Sequence, residues 1–141
     1  MKRVLFICSG NSARSQMAEA ILRLLGRDEY EAHSAGTSIA PEVNPLALEV
    51  LRERGADVRG LHTKKVDIFV DQSFDLVVTV CDKARQVCPF FPGAKHTEHW
   101  SIEDPAVFQG SGDEKLQKFR ETRDEIERLI KDRILGSATL H

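Results

Sequence analysis

The sequence predicts an α/β fold, a doubly wound four-stranded parallel sheet with helices on both faces. Two observations carry this. Short apolar runs suited to strands alternate with longer stretches of helical spacing along the 141 residues. The clearest run, Asp75-Leu76-Val77-Val78-Thr79-Val80, is β-branched and apolar on both faces, as in a sheet covered on each side. Two of the runs end at cysteines, Cys8 and Cys81, and the carboxyl ends of strands are where such sheets bind ligands.

Each element follows from its residues. Lys2–Ile7 reads as a buried strand, and the next stretch is helical, with Met17, Ile21, Leu24 and Leu25 on one face and Gly26 as its stop. Tyr30–Ala35 is a weaker strand. Asn44-Pro45 opens a helix through Leu46, Leu48, Val50 and Leu51 that ends at Gly55, with proline favourable at the first helical position. Asp75–Val80 is the central strand. Asp82–Val87 holds good helix formers, with Asp82 placed as an N-cap or first-turn acid. Pro89 to Gly93 is a turn, Lys95–Trp100 a short edge strand, and the last helix runs from about Asp113 to Ile134 through Leu116, Phe119, Ile126 and Ile130. Gln109–Gly112 and the stretch after Leu135 are loose, which gives one domain over 1–135 and a tail over 136–141.

Bulk composition narrows the chemistry. Hydrophobic residues make up 41% and charged ones 30%, as in a globular domain with a real core. A net charge of −2 leaves no basic stripe for a nucleic acid backbone. The apolar run Val4–Ile7 is far too short for a signal peptide or a membrane span. Three cysteines without an export signal point to a reducing cytoplasm, where thiols serve chemistry more than stapling.

The segment Cys8-Ser9-Gly10-Asn11-Ser12-Ala13-Arg14-Ser15 lies between the first strand and the first helix. The first N–H groups of a helix lack internal partners and sit at the positive end of its dipole, so such a loop cradles oxyanions. Arg14 adds a bidentate fork for a tetrahedral anion. The same field favours a thiolate at Cys8. Gly10 and Asn11 suit a left-handed turn, and Ser9, Ser12 and Ser15 bring hydroxyls. A nucleophile and the seat of its electrophile thus come from one loop, which implies covalent chemistry on a phosphate-like oxyanion. Read alone, Cys-x5-Arg is a common pattern and a cysteine at a strand end is usually a small buried hydrophobe; the strand before and the helix after raise the functional reading.

Cys81 and Cys88 stand seven residues apart, beside the expected Cys8 crevice. Together the three thiols could form a relay, which a reductase needs to supply two electrons and a phosphatase does not. A zinc site of Cys81, Cys88, His96 and His99 competes poorly, because Cys-x6-Cys is wide and strand residues three apart point to opposite faces. No metal site is therefore expected. His33, His62 and His141 show no functional spacing. A proton for a departing oxygen would come from Asp104 or Glu103, with Asp104 favoured because Pro105 holds it extended.

Taken together, Cys8 through Glu19, Ser34-Ala35-Gly36, Val43-Asn44-Pro45, Asp75 through Cys81, Cys88-Pro89, Glu98-His99-Trp100 and Asp104-Pro105-Ala106 resemble the thioredoxin-coupled arsenate reductases. Those share the fold of the low-molecular-weight protein tyrosine phosphatases (phosphotyrosine protein phosphatase I). The resemblance covers essentially the whole chain and implies one catalytic domain that needs no cofactor. It implies arsenate held by the backbone amides of Ser9, Gly10, Asn11, Ser12, Ala13, Arg14 and Ser15 and by the Arg14 fork, with phosphate or sulfate competing. Cys8 would attack arsenic while Asp104 protonates the leaving oxygen; Cys81 and then Cys88 would pass the disulfide to thioredoxin in a monomeric, cytoplasmic enzyme. Asn11 would shape the loop and Ser15 would bond the thiolate. If 82–87 is helical, Cys81 and Cys88 lie on the order of 10 Å apart, so their disulfide requires that helix to unwind. The alternative is a phosphatase acting on phosphotyrosine, although related phosphatases usually carry an aromatic residue where Ala106 stands. A non-catalytic redox or zinc module is the third possibility. Some members bind potassium through residues matching Asn11, Glu19, Ser34 and an acid after His62-Thr63; here Lys65 aligns with that acid and would supply the charge itself.

Overall fold

The computed structural model describes residues 1–81 and 91–136, with Cys81 described by its backbone alone. Four strands, β1 (Lys2–Cys8), β2 (Tyr30–Gly36), β3 (Phe74–Cys81) and β4 (Ala94–Ser101), form one sheet in the order β2-β1-β3-β4. All three pairings are parallel. The chain winds from β1 to β2 on one side, then crosses back to add β3 and β4 on the other. β1 therefore lies at the topological switch point, and the crevice that opens there is at its carboxyl end, at Cys8.

Alternation along β1 divides the core. Val4 and Phe6 pack with Met17 and Ile21 of α1 (Arg14–Gly26), Val50 and Leu51 of α2 (Pro45–Arg54) and Phe119 and Ile126 of α3 (Gly112–Ile130). Leu5 and Ile7 face the other way, into a cluster with Ala35, Phe69, Phe74, Val77 and Phe91, where the 3-10 helix Val66–Phe69 provides cover. Both faces are thus helix-covered, which is why β1 and β3 are apolar at successive positions.

Helix ends follow local chemistry. Asn44 caps α2, its side chain accepting from the Leu46 N–H at 2.9 Å, Pro45 takes the first helical position, and Gly55 closes the helix at φ 90°. α1 ends at Gly26 as expected, although the left-handed turn falls one residue later, on Arg27 at φ 46°. α3 starts from a reciprocal capping box between Ser111 and Glu114 inside the stretch expected to be loose, and after Ile130 it widens into a π-helical turn over Lys131–Leu135. The helix expected over 82–87, and Cys88 with it, lie outside the described residues.

Candidate active site

Cys8 closes β1 and is 6% exposed. Its Sγ lies 2.8 Å from Ser15 Oγ and accepts the Asn11 N–H at 3.2 Å. Of the two residues suited to left-handed backbone, Asn11 adopts it, at φ 53°. A neighbouring segment engages the outer side of the loop: the N–H groups of Thr37, Ser38, Ala40 and Asn44 donate to the carbonyls of Cys8, Ser9, Gly10 and Ser12. In a trans peptide the following N–H points opposite its carbonyl, so the loop amides turn inward, toward the sulfur. Ala13 is the N-cap of α1 and has no side-chain acceptor, so the open first turn of the helix adds to the same concavity.

Asn11 holds this curve in place. Fully buried, it donates through Nδ2 to Ser15 Oγ at 2.8 Å and Ser34 Oγ at 3.0 Å, while its Oδ1 accepts from Gln16 Nε2 at 3.0 Å and the Lys64 N–H at 2.8 Å. The Ser34 hydroxyl in turn donates a hydrogen bond to Glu19 Oε1. Gly36, paired with Cys8 in the β1–β2 register, allows the close approach: a Cβ there would sit 2.7 Å from Ser9 O and 2.9 Å from Asn11 Cβ. Sequence reading missed Gln16, which is buried and also donates to the Asn11 carbonyl at 3.0 Å and the His62 carbonyl at 2.8 Å. The available signal was a polar residue on the inward face of an apolar helix.

Arg14 is 6% exposed; its Nη1 donates to the Ile102 carbonyl at 2.8 Å and its Nη2 lies 3.8 Å from Asp104 Oδ2. The guanidinium therefore ties the cradle to the loop after β4. Asp104 is extended, at φ −73° and ψ 113°, and caps the 3-10 turn Pro105–Val107 by accepting the Ala106 N–H at 3.0 Å. Glu103, left open as an alternative by sequence, points away to an exposed pair with Lys118 at 3.3 Å. Asp104 is thus the carboxyl group facing the cradle.

Cys81 ends β3, in register with Ser101 of β4. The β1–β3 register pairs Ile7 with Thr79, so the backbone of Cys81 lies one residue beyond the end of β1. Among the described residues no three His, Cys, Asp or Glu side chains gather as metal ligands. His99 instead meets Thr79.

The residues matching a potassium site do not fit one. It is Lys64, not Lys65, that meets the acid: its Nζ lies 3.4 Å from Glu19 Oε1 and donates to the His62 carbonyl at 2.9 Å, whereas Lys65 is exposed. The other Glu19 oxygen pairs with Arg23 at 2.7 Å. Burial pulls the Lys64 pKa down, and the Glu19 charge opposes that shift. A tethered ammonium already neutralises the carboxylate.

Comparison with known proteins agrees with this geometry. The family model for low molecular weight phosphotyrosine protein phosphatase matches residues 3–137. The arsenate reductase of Halalkalibacterium halodurans is 42% identical over 130 residues, covering 92% of this chain and 93% of that protein. An arsenate reductase solved in a phosphate-binding state superposes with a TM-score of 0.80 at 28% identity, covering 96% of this chain and 98% of its own. The thioredoxin-dependent arsenate reductase of Corynebacterium glutamicum, 33% identical, gives 0.69, covering 96% of this chain and 63% of its own. With a buried cysteine in the loop at the switch point and a match over nearly its full length, this chain belongs to the low molecular weight phosphotyrosine protein phosphatase family, in the company of arsenate reductases.

Proposed function

We propose that this chain is an arsenate reductase of arsenic detoxification that works through a Cys8, Cys81 and Cys88 relay recycled by thioredoxin. The observation that carries this is the pairing of a buried cysteine in an oxyanion cradle with a second cysteine at the end of the adjacent strand. Hydrolysis of a phosphate ester requires only the first. The arsenate reductases above, one named as thioredoxin-dependent, support the choice of substrate and reductant.

In this mechanism the inward amides of Ser9 through Ser15 and the Arg14 fork hold arsenate against Cys8. The Ser15 hydroxyl and the Asn11 N–H, both already on the sulfur, stabilise the thiolate. Cys8 attacks arsenic while Asp104 delivers a proton to the departing oxygen. Cys81 attacks the Cys8 sulfur; the S–As pair stays on arsenic, which leaves as arsenite, and two thiols become one disulfide. Cys88 takes over Cys81 and frees Cys8, and thioredoxin reduces the second disulfide. The enzyme acts as a cytoplasmic monomer of one domain, with phosphate and sulfate as competitors. Lys64 meets the need for a cation beside Glu19, so turnover is the same in sodium and potassium salts.

The family description also raises phosphotyrosine hydrolysis, and the cradle suits phosphate. Ala106, exposed after Asp104-Pro105, provides no aromatic surface for that substrate. The deciding experiment is steady-state arsenate reduction with thioredoxin and its reductase, set beside p-nitrophenyl phosphate turnover. Cys8→Ser should abolish both, because a serine hydroxyl stays un-ionised in this field. Cys88→Ser should release one arsenite per enzyme and stop; continued turnover by that variant would rule out the three-thiol relay.

A further inference from the structure

We infer that Gln16 is a positioning residue for Cys8: its side-chain amide holds Asn11 in the conformation that keeps the Asn11 N–H on the sulfur. Gln16 is the third residue of α1 and fully buried, on a stretch of helix whose neighbours Met17 and Ala20 belong to the apolar core. A buried amide that lacks part of its hydrogen bonding costs stability, and Gln16 Oε1 has no partner among the described residues. Its Nε2 is the opposite case. It lies 3.0 Å from the Asn11 carbonyl, 3.0 Å from Asn11 Oδ1 and 2.8 Å from the His62 carbonyl. Three oxygens around one amide atom identify that atom as the nitrogen, with two protons to share among them.

These donors fall where the backbone is strained. Asn11 has φ 53°, a region that residues other than glycine seldom adopt, so it persists only if its surroundings hold it. From outside the loop, the Ala40 N–H fixes the Gly10 carbonyl at 2.9 Å. That carbonyl belongs to the same peptide as the Asn11 N–H, which reaches Cys8 Sγ at 3.2 Å. From inside, Gln16 fixes the Asn11 carbonyl and the Asn11 side chain together. Asn11 is therefore held on both sides of its Cα. Release of the inner side lets it relax toward right-handed backbone, a rotation that carries the N–H away from the sulfur.

Reactivity and stability should part company at this residue. Replacing Gln16 by methionine keeps the bulk of the side chain and takes away the amide. Asn11 Oδ1 and the His62 carbonyl each retain a donor from Lys64, at 2.8 and 2.9 Å. The Asn11 carbonyl loses the Gln16 donor, and in exchange a buried oxygen without a partner disappears. The two changes offset one another in stability, and what is lost is the grip on Asn11. This inference deepens the nucleophilic role proposed for Cys8 and rests on it for its consequence in turnover.

The test reads Cys8 without arsenate or thioredoxin. In a Cys81→Ser/Cys88→Ser background Cys8 is the sole thiol, and its alkylation by iodoacetamide, followed against pH, reports how readily the sulfur ionises. Gln16→Met should move the midpoint of that profile up by about one unit, a reaction about tenfold slower on its acid side, and leave the plateau at high pH unchanged. In nitrogen-labelled protein the Asn11 amide proton should shift as Cys8 titrates, and Gln16→Met should lose that shift. The urea midpoint of Gln16→Met should stay close to that of its parent. An unmoved profile, a deficit that persists on the plateau, or a marked loss of stability would overturn the role, the last by making Gln16 a structural tie. A chain that reduces no arsenate leaves the alkylation result standing, and an unmoved profile leaves arsenate reduction by the parent enzyme untouched, so the two proposals fail separately.

Discussion

The two ends of the sheet are both polar and differ in how that polarity is spent. At the amino end, charges close on one another. Arg3 reaches Glu31 at 2.8 Å, the Ser73 carbonyl and Gln72 each at 2.6 Å, and stacks over the Phe74 ring at 4.4 Å. His33 shares Glu31 Oε2 at 2.7 Å, and Asp75 takes the Arg3 N–H and pairs with Lys95. Hydrogen bonds from His33 and Arg3 hold the Glu31 carboxyl below the usual carboxylate range. A groove of about 330 Å³ opens there among Lys2, Asp75, His96 and Glu98, its charges mixed in sign. At the carboxyl end, the Asn11 amide and the Ser15 hydroxyl meet on the Cys8 sulfur, with the buried Arg14 guanidinium in the same segment. Paired charges fasten strands; donors left without a charge of their own suit the oxyanion proposed above. The volume of a hollow is the weaker guide of the two.

Substitutions at each end should therefore fail in different ways. The largest effect is expected from Gly36→Ala, because the new Cβ meets Ser9 and Asn11 backbone that cannot yield. The loop must shift, and arsenate turnover per folded molecule should fall at least tenfold, with a stability loss of about 1–3 kcal/mol; normal turnover would show that the cradle tolerates displacement. Arg3→Met should do the reverse. It removes charged hydrogen bonds at the amino end and should lower unfolding stability by about 2 kcal/mol in urea titrations, with turnover per folded molecule unchanged. A drop in turnover would show that the two ends are coupled. The smallest effect concerns a third region, between α2 and α3. Hydrogen bonds from Arg54 hold the Glu127 carboxyl down to about 2, with help from Lys131. A carboxylate that titrates lower when folded stabilises above its ordinary 4.5 and loses that contribution as pH falls toward 2. With Arg54 a third exposed and solvent screening the pair, Glu127→Gln should remove only a few tenths to about 1 kcal/mol near neutrality and flatten stability between those pH values. An identical pH slope in the variant would rule the pair out.

Much of the fold was legible because local chemistry and tertiary need coincide. Asn44-Pro45 and Gly55 bound α2 by propensities that act within a few residues, and the doubly apolar run of β3 marks a strand buried on both sides. The Ser111–Glu114 capping box is equally local, yet its N-cap falls inside the stretch 109–112 that the sequence suggests is loose. In the site, Cys8, Asn11, Arg14 and Ser15 lie within eight consecutive residues, from the end of β1 to the first turn of α1, and could be read together, and Cys81 could be placed at a strand end.

What sequence alone determined is the covalent stock and its local order: a thiol at a strand end, small residues that bend after it, an arginine in the first helical turn, and an Asp-Pro kept extended. Tertiary structure decided which distant groups complete the site. Sequence leans to Asp104 over Glu103 through Pro105, and packing decides it, since Asp104 meets Arg14 while Glu103 pairs with Lys118. Only packing selects Lys64 over Lys65, because the bridge from Gly36 to residue 65 fixes which of two adjacent side chains turns toward Glu19. Spacing along a chain reports neighbours within a turn or a strand, whereas a charge buried against another element is stabilised by contacts dozens of residues away, and those exist only once the sheet has closed.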